Sequence, residues 1–177
     1  CPSGLFGDDS THLCVSPCPV SMNFFGDSST KLCVNRCPNV TVAVVNASAG
    51  INEPVGIRYS DVSTRLCVET CPETYGLHGT FGDNFTNNCV EVCPSGTYGD
   101  AQTTHRVCVL HCSQLQKSFA DSSTNRCVAK CPSSPPLYGE TTTFTCVATC
   151  TGSTYKNAVN RECVADCPAG QFRSIWP

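Results

Sequence analysis

The chain reads as a small disulfide-rich repeat protein, an elongated rod of short β-hairpin modules with little helix and no large hydrophobic core. Three observations predict this. Cysteine supplies 17 of 177 residues, a density found in stapled chains that fold in an oxidising space. The form Cys-Val-x-x-Cys recurs eight times, at Cys14–Cys18, Cys33–Cys37, Cys67–Cys71, Cys89–Cys93, Cys108–Cys112, Cys127–Cys131, Cys146–Cys150 and Cys163–Cys167. Between the pairs stands a second signature, aromatic, small residue, acid, two residues, Thr.

The aromatics are Phe6, Phe25, Tyr59, Phe81, Tyr98, Phe119, Tyr138 and Tyr155. The acids are Asp8, Asp27, Asp61, Asp83, Asp100, Asp121 and Glu140, with Asn157 in the last copy. The usual period is 19 residues. Each element of the module has a reason. Cys-Pro fixes φ and starts an extended segment. The aromatic is a strand former and the module's one large apolar contact. Gly-Asp-x-x-Thr is turn chemistry, in which Gly permits unusual φ and Asp bonds its own backbone two residues on. The chain then returns to Cys-Val, which makes a hairpin closed at its base by a disulfide. The Asp as a Ca²⁺ ligand is the rival reading, but Ca²⁺ takes about six to eight oxygens and each module offers one acid.

Such a module cannot fold alone, because chains below about 40 residues need cross-links or partners. Closing a loop of about 15 residues contributes roughly 3 kcal/mol in the chain-entropy model. The remainder must come from stacking on neighbouring modules. The pairing that treats every module alike is Cys1–Cys14, Cys18–Cys33, Cys37–Cys67, Cys71–Cys89, Cys93–Cys108, Cys112–Cys127, Cys131–Cys146 and Cys150–Cys163. It leaves Cys167 unpaired or bonded to another molecule. Spacing also allows pairing within each Cys-Val-x-x-Cys and an interleaved pattern.

The domain organisation is one array over 1–177 of about eight modules. Residues 39–57 insert into the third module. Residues 168–177 are an incomplete ninth module or a cap. In the insertion, 40–45 read as a strand, 47–50 as a turn, and 54–57 as an irregular return. A longer hairpin packed on its neighbour is the plain expectation; a strand edge offered to a partner is the alternative. Sequons at Asn39, Asn46 and Asn84 predict surface positions and N-glycans in a secreted chain. The chain opens at Cys1 with no Met and no apolar leader, as in a processed secreted product or part of a longer polypeptide.

Other classes are disfavoured. Lys and Arg total 11 and form no run, so no nucleic acid is expected as partner. The most apolar stretch, 40–45, is too short for a membrane span. His12, His78, His105 and His111 occupy unrelated module positions. No nucleophile elbow or phosphate loop is present, so no catalytic residue, metal or cofactor is predicted. Zinc is the rival use of paired cysteines, but the sequons and the recurring Cys-Pro hairpins favour export.

The copies Cys-Pro-Ser-Gly-Leu-Phe-Gly-Asp (1–8) and Cys-Pro-Ser-Gly-Thr-Tyr-Gly-Asp (93–100), each leading to Cys-Val-x-x-Cys, resemble furin-like repeats of the growth-factor-receptor cysteine-rich family. The resemblance is closest to the regular arrays in large surface proteins of single-celled eukaryotes. It implies a disulfide-linked rod serving as spacer, receptor ectodomain or coat component, and no catalytic residues carry over. The expected function is an extracellular structural repeat protein, a cell-surface stalk, coat or filament subunit that self-associates head to tail or continues in a longer chain. The alternative is a receptor or adhesion ectodomain binding a protein or glycan through 39–57.

Overall fold

The computed structural model describes residues 1–41, 54–73, 79–102, 106–112, 117–167 and 170. The chain divides into two compact units, Cys1–Glu91 with Thr103–Val107, and Val92–Gln102 with Cys108–Pro177. In the first unit β1 (Phe6–Asp8) pairs with β2 (Leu13–Val15), and a single 3-10 turn, Val20–Met22, precedes β3 (Phe25–Asp27), which pairs with β4 (Leu32–Val34). The insertion adds β5 (Val40–Thr41) and β6 (Pro54–Gly56). Then β7 (Tyr59–Asp61) pairs with β8 (Leu66–Val68), and β9 (Phe81–Asp83) with β10 (Asn88–Val90). The second unit holds β11 (Tyr98–Asp100), and β12 (Val107–Val109) begins at the last residue of the first unit and continues into the second. There β13 (Phe119–Asp121) pairs with β14 (Arg126–Val128), β15 (Tyr138–Glu140) with β16 (Thr145–Val147), and β17 (Tyr155–Asn157) with β18 (Glu162–Val164). The fold is a disulfide-rich repeat of β-hairpins, with almost no helix among the described residues.

Every hairpin is short because its interior is only three residues deep. The aromatic faces the Val of Cys-Val, the small residue faces Cys, and the acid faces the residue before Cys, as in Phe25↔Val34, Gly26↔Cys33 and Asp27↔Leu32. The half-cystine therefore sits in the middle of the second strand, and the bridge reaches it from the cysteine that opens the module, which Pro follows in six of the eight bridges. Eight bridges are present: Cys1–Cys14, Cys18–Cys33, Cys37–Cys67, Cys71–Cys89, Cys93–Cys108, Cys112–Cys127, Cys131–Cys146 and Cys150–Cys163. Their Cα atoms lie 5.5 to 5.7 Å apart, inside the span disulfides require.

The glycines do two different jobs. Gly26, Gly82 and Gly139 are strand residues without positive φ, which corrects the expectation that the Gly before the acid supplies an unusual backbone angle. Positive φ falls instead on the residue after Thr in the turn: Lys31 (61°), Arg65 (58°), Asn87 (58°), Asn125 (52°) and Phe144 (54°) among others. The amide of that residue closes the turn on the acid's carbonyl, as in Lys31 N to Asp27 O at 2.8 Å. This is a four-residue loop, a common hairpin connection. The Cys-Pro segment is also not extended throughout. In Pro2-Ser3-Gly4-Leu5 the Leu5 amide bonds Pro2 O at 3.1 Å with Gly4 at φ 82°, and Thr97 bonds Pro94 O at 2.9 Å with Gly96 at 84°. These are turns that need φ above zero at the third residue.

The insertion departs from its expected form at one end. Pro54–Gly56 is a strand, not an irregular return, and it pairs antiparallel with Val40–Thr41 through Val40↔Gly56 and Thr41↔Pro54, with an irregularity between them. A two-stranded ladder leaves outward-facing positions where Pro's missing N–H removes no bond. Residues 42–53, which hold the rest of the expected strand, the expected turn and Asn46, lie outside the described residues.

Candidate functional site

What recurs in this molecule is the junction between one hairpin and the next, where the aromatic and the small residue singled out in the sequence meet. Within the first unit Gly7 pairs in parallel with Leu32, Gly26 with Leu66, Ser60 with Asn88 and Gly82 with Val107. Within the second, Gly99 pairs with Arg126, Ala120 with Thr145 and Gly139 with Glu162. Bridge partners project to the same side of a sheet, and neighbours along a strand to opposite sides. Leu32 thus lies on the side of Gly7, and Phe25 on the side opposite Phe6. Successive hairpins present their aromatic on alternate sides.

That alternation explains the small residue. Each ring lies on the side where the next hairpin offers its middle residue. A Cβ on Gly26 would come within 2.5 Å of the Phe6 ring, one on Gly82 within 2.3 Å of Tyr59, and one on Gly139 within 2.5 Å of Phe119. The ring rests on the bare backbone. The middle residue's amide, in turn, donates to the carbonyl that the positive-φ residue turns outward. These bonds are Gly7 N to Lys31 O (2.8 Å), Gly26 N to Arg65 O (2.8 Å), Ser60 N to Asn87 O (2.8 Å), Gly99 N to Asn125 O (2.8 Å) and Gly139 N to Arg161 O (2.7 Å). The left-handed conformation costs a non-glycine residue roughly 1–2 kcal/mol, and here it delivers the bond that joins the hairpins.

The side chain of the positive-φ residue closes over the ring. The Arg65 guanidinium lies 4.5 Å from the Phe25 centroid, Arg106 4.9 Å from Phe81 and Arg161 5.0 Å from Tyr138. Phe144 does the same with an aromatic, stacking on Phe119 at 6.2 Å. Phe25, Cys37 and Cys67, with Val34 packed against them, form a small core cluster.

The acids face inward. Asp8, Asp27, Asp61, Asp83, Asp100 and Asp121 are all buried. In Asp8, Oδ1 accepts from Ser10 N at 3.0 Å and Ser10 Oγ at 2.7 Å, and Oδ2 from Thr11 Oγ1 at 2.9 Å. Asp61 and Asp121 are filled the same way by Ser63 with Thr64, and Ser123 with Thr124. The carboxylate oxygens of Asp8, Asp61 and Asp121 are therefore bonded within their own turn, as the turn reading requires. Hydrogen bonds from Ser10 and Thr11 hold the Asp8 carboxyl below the usual carboxylate range. Burial pushes Asp27 up, but bonds from Ser29 and Thr30 and the charge of Arg58 outweigh it and leave the carboxyl lowered.

Arg58 has no counterpart in the consensus. It follows the insertion and reaches back one hairpin, pairing with Asp27 and donating to Ser28 Oγ at 3.0 Å and Cys67 O at 3.2 Å. Burial, with the Asp83 charge adding to it, raises the phenol of Tyr59, whose hydroxyl donates to Asn84 Oδ1.

One pair of exceptions explains itself. The seventh module has Glu140 where six others have Asp, and the eighth has Thr151 where Pro usually follows Cys. The longer Glu140 side chain crosses to the next module and accepts from Thr151 N at 3.1 Å and Thr151 Oγ1 at 2.9 Å. Proline has no N–H to give. Burial would raise the Glu140 carboxyl; the bonds from Thr151 and Thr142 prevail and lower it.

Of the other predicted residues, Asn39 and Asn84 are both exposed, and Asn87 Nδ2 lies 3.4 Å from Asn39 Oδ1. Cys167 is a half-exposed free thiol. His12 and His111 are exposed and on different modules; His78 and His105 lie outside the described residues. Among the described residues no group of three His, Cys, Asp or Glu side chains gathers, and sixteen cysteines are committed to bridges. No helix among them is long and apolar enough to cross a membrane. Sequence reasoning missed the positive-φ residue. A signal was present: that position reads His, Lys, Arg, Asn, Arg, Asn, Phe, Arg, long or amide side chains and never Gly. No known protein family, no curated protein and no solved structure matches the chain.

Proposed function

We propose that the chain is a non-catalytic extracellular structural repeat protein, a stalk, coat or filament subunit at the cell surface. The observation that supports this most is the junction itself. Buried acids, hydroxyls, arginines and rings, the side chains from which enzymes build sites, are used here for structure: the acids and hydroxyls close their own turns, and the rings and arginines join one hairpin to the next. Eight disulfides are what an oxidising compartment sustains. The resemblance of the Cys-Pro and Cys-Val-x-x-Cys copies to furin-like arrays of surface proteins agrees with this reading. Self-association through Cys167, or continuation of the array, fits a structural role, with N-glycans on the exposed sequons.

Sizing in solution with and without reductant tests the reading. Species larger than one chain that collapse on reduction support the filament form. A monodisperse monomer with a titratable thiol overturns it. A second reading, a receptor or adhesion ectodomain, draws on the β5–β6 ladder, a two-stranded sheet of its own. Deleting 39–57 without loss of partner binding on cells would remove that reading.

A further inference from the structure

We propose that Asn84 accepts an N-glycan only before its hairpin closes, so that folding sets whether this site is modified. The inference rests on the secretory reading above. A sequon is defined by an acceptor amide and a hydroxyl two residues on. In Asn84-Phe85-Thr86 both are already engaged. Thr86 Oγ1 donates to Asp83 Oδ2 at 2.6 Å, and Asn84 Oδ1 accepts from the buried Tyr59 hydroxyl. Between them Phe85 N donates to Asp83 Oδ1 at 3.0 Å, and Asn87 N closes the loop on Asp83 O at 2.8 Å. The flanking strands are paired at Phe81↔Val90, Gly82↔Cys89 and Asp83↔Asn88, and Cys89 is bridged to Cys71.

Exposure is not the obstacle, since Asn84, Phe85 and Thr86 all face solvent and Phe85 is 90% exposed. The obstacle is that a transferase must draw the acceptor out of the surface and read the Thr86 hydroxyl. Doing so breaks the Asp83 cap, the Tyr59 bond and the turn together. In the transfer, Asn84 Nδ2 attacks the anomeric carbon of a lipid-pyrophosphate-linked oligosaccharide. The carbon–nitrogen bond forms, the bond to the pyrophosphate breaks, the nitrogen loses one proton, and the lipid pyrophosphate leaves. The product keeps Oδ1, so the glycosylated asparagine can still accept from Tyr59 once the hairpin has formed.

The test supplies the transferase, so its outcome does not depend on where the chain resides. Glycan-free protein with its bridges intact, and the same protein reduced and alkylated, are incubated with detergent-extracted microsomes and lipid-linked donor. Sites are then mapped by peptide mass. Initial modification of Asn84 is expected to be at least about tenfold faster in the reduced chain, every tenfold corresponding to about 1.4 kcal/mol of local opening. A Cys71→Ser, Cys89→Ser variant, with the other bridges left to form, should recover the fast rate at Asn84. Equal rates in the bridged and reduced chains overturn the proposal. So does an Asn84 left bare in both while another sequon of the reduced chain is modified. Glycan-free protein recovered from its own cells would count against the secretory reading and leave the rate comparison standing.

Discussion

Two adjacent junctions of the second unit use the same geometry with different residues. Between β13–β14 and β15–β16 the Phe119 ring lies on Gly139, stacked against Phe144, and is 2% exposed. Between β15–β16 and β17–β18 the Tyr138 ring is only half-buried. There Lys156 occupies the glycine's place, with its ammonium 5.4 Å from the ring centroid and Arg161 5.0 Å away. The first junction fits by absence of a side chain. The second accommodates a long one by keeping the ring further out, between two cations. The small residue is thus a steric consequence of the preceding ring and is dispensable where the ring is not driven home.

The sharpest way to break this comparison is to put a side chain under the buried ring. Gly139→Val places a Cβ in a space the Phe119 ring fills and should destabilise by about 3 kcal/mol, as overpacking with loss of an aromatic contact does. Lys156→Gly, at the equivalent position one hairpin on, should cost no more than about 1 kcal/mol, the worth of one exposed cation–π contact. Urea unfolding midpoints measured with the bridges intact decide it. Equal losses at the two positions would mean that the ring does not select the residue beneath it.

The Glu140–Thr151 exchange gives the next largest effect. Thr151→Pro removes an N–H and a hydroxyl from a buried carboxylate and should cost about 1–3 kcal/mol, the desolvation penalty of a group left short of partners. Restoring the regular pair with Glu140→Asp in the same chain should recover part of that loss, because Asp is bonded by its own turn in the other modules. A double-mutant cycle with no coupling would separate the two departures from the repeat.

These cases show how much of the molecule could be read from residues alone. The hairpin modules were legible, since aromatic, acid and Cys-Val recur at constant offsets. So was the turn role of Asp8 or Asp121, because an acid followed two and three residues on by hydroxyls caps its own loop. Spacing left three disulfide pairings open, and the structure holds the one that links consecutive pairs. The junction was not legible. A parallel bridge such as Gly26↔Leu66 joins residues far apart in the chain, and nothing local says that Gly26 is small for the sake of Phe6. The positive φ of Lys31 or Phe144 has no local signature for the same reason, since its benefit is a bond to the neighbouring module.

Acid sensitivity follows from the lowered carboxyls of Asp8, Asp27 and Glu140. A carboxyl held lower in the fold than in the unfolded chain adds stability that is fully present above its unfolded value. For these groups that is 3.8 for Asp and 4.5 for Glu. The contribution is lost as pH falls through the folded value. Stability should therefore be level from neutral down to about pH 5 and decline below about pH 4, while the bridges keep the chain from expanding fully. Asp27→Asn should flatten part of the acid limb at a cost at neutral pH, because Arg58 then stays buried without its counter-ion. Amide exchange followed between pH 3 and 7 reads this; an unchanged acid limb in the variant would assign the decline elsewhere.

The smallest effect belongs to the residue over the ring. Arg65 covers Phe25 at 4.5 Å, yet its Nε and Nη2 are buried without hydrogen-bond partners, so part of the cation–π gain is offset by desolvation. Asn fills this position at Asn87 and Asn125, tolerates positive φ well and keeps the outward carbonyl. Arg65→Asn should then shift the unfolding free energy by less than about 1 kcal/mol, and Arg65→Val by roughly 1–2 kcal/mol more, the cost of a branched side chain at φ near 58°. If Asn proves as costly as Val, the guanidinium and not the backbone angle is what this position supplies. If Val proves as mild as Asn, the left-handed turn is not what orients the carbonyl toward Gly26.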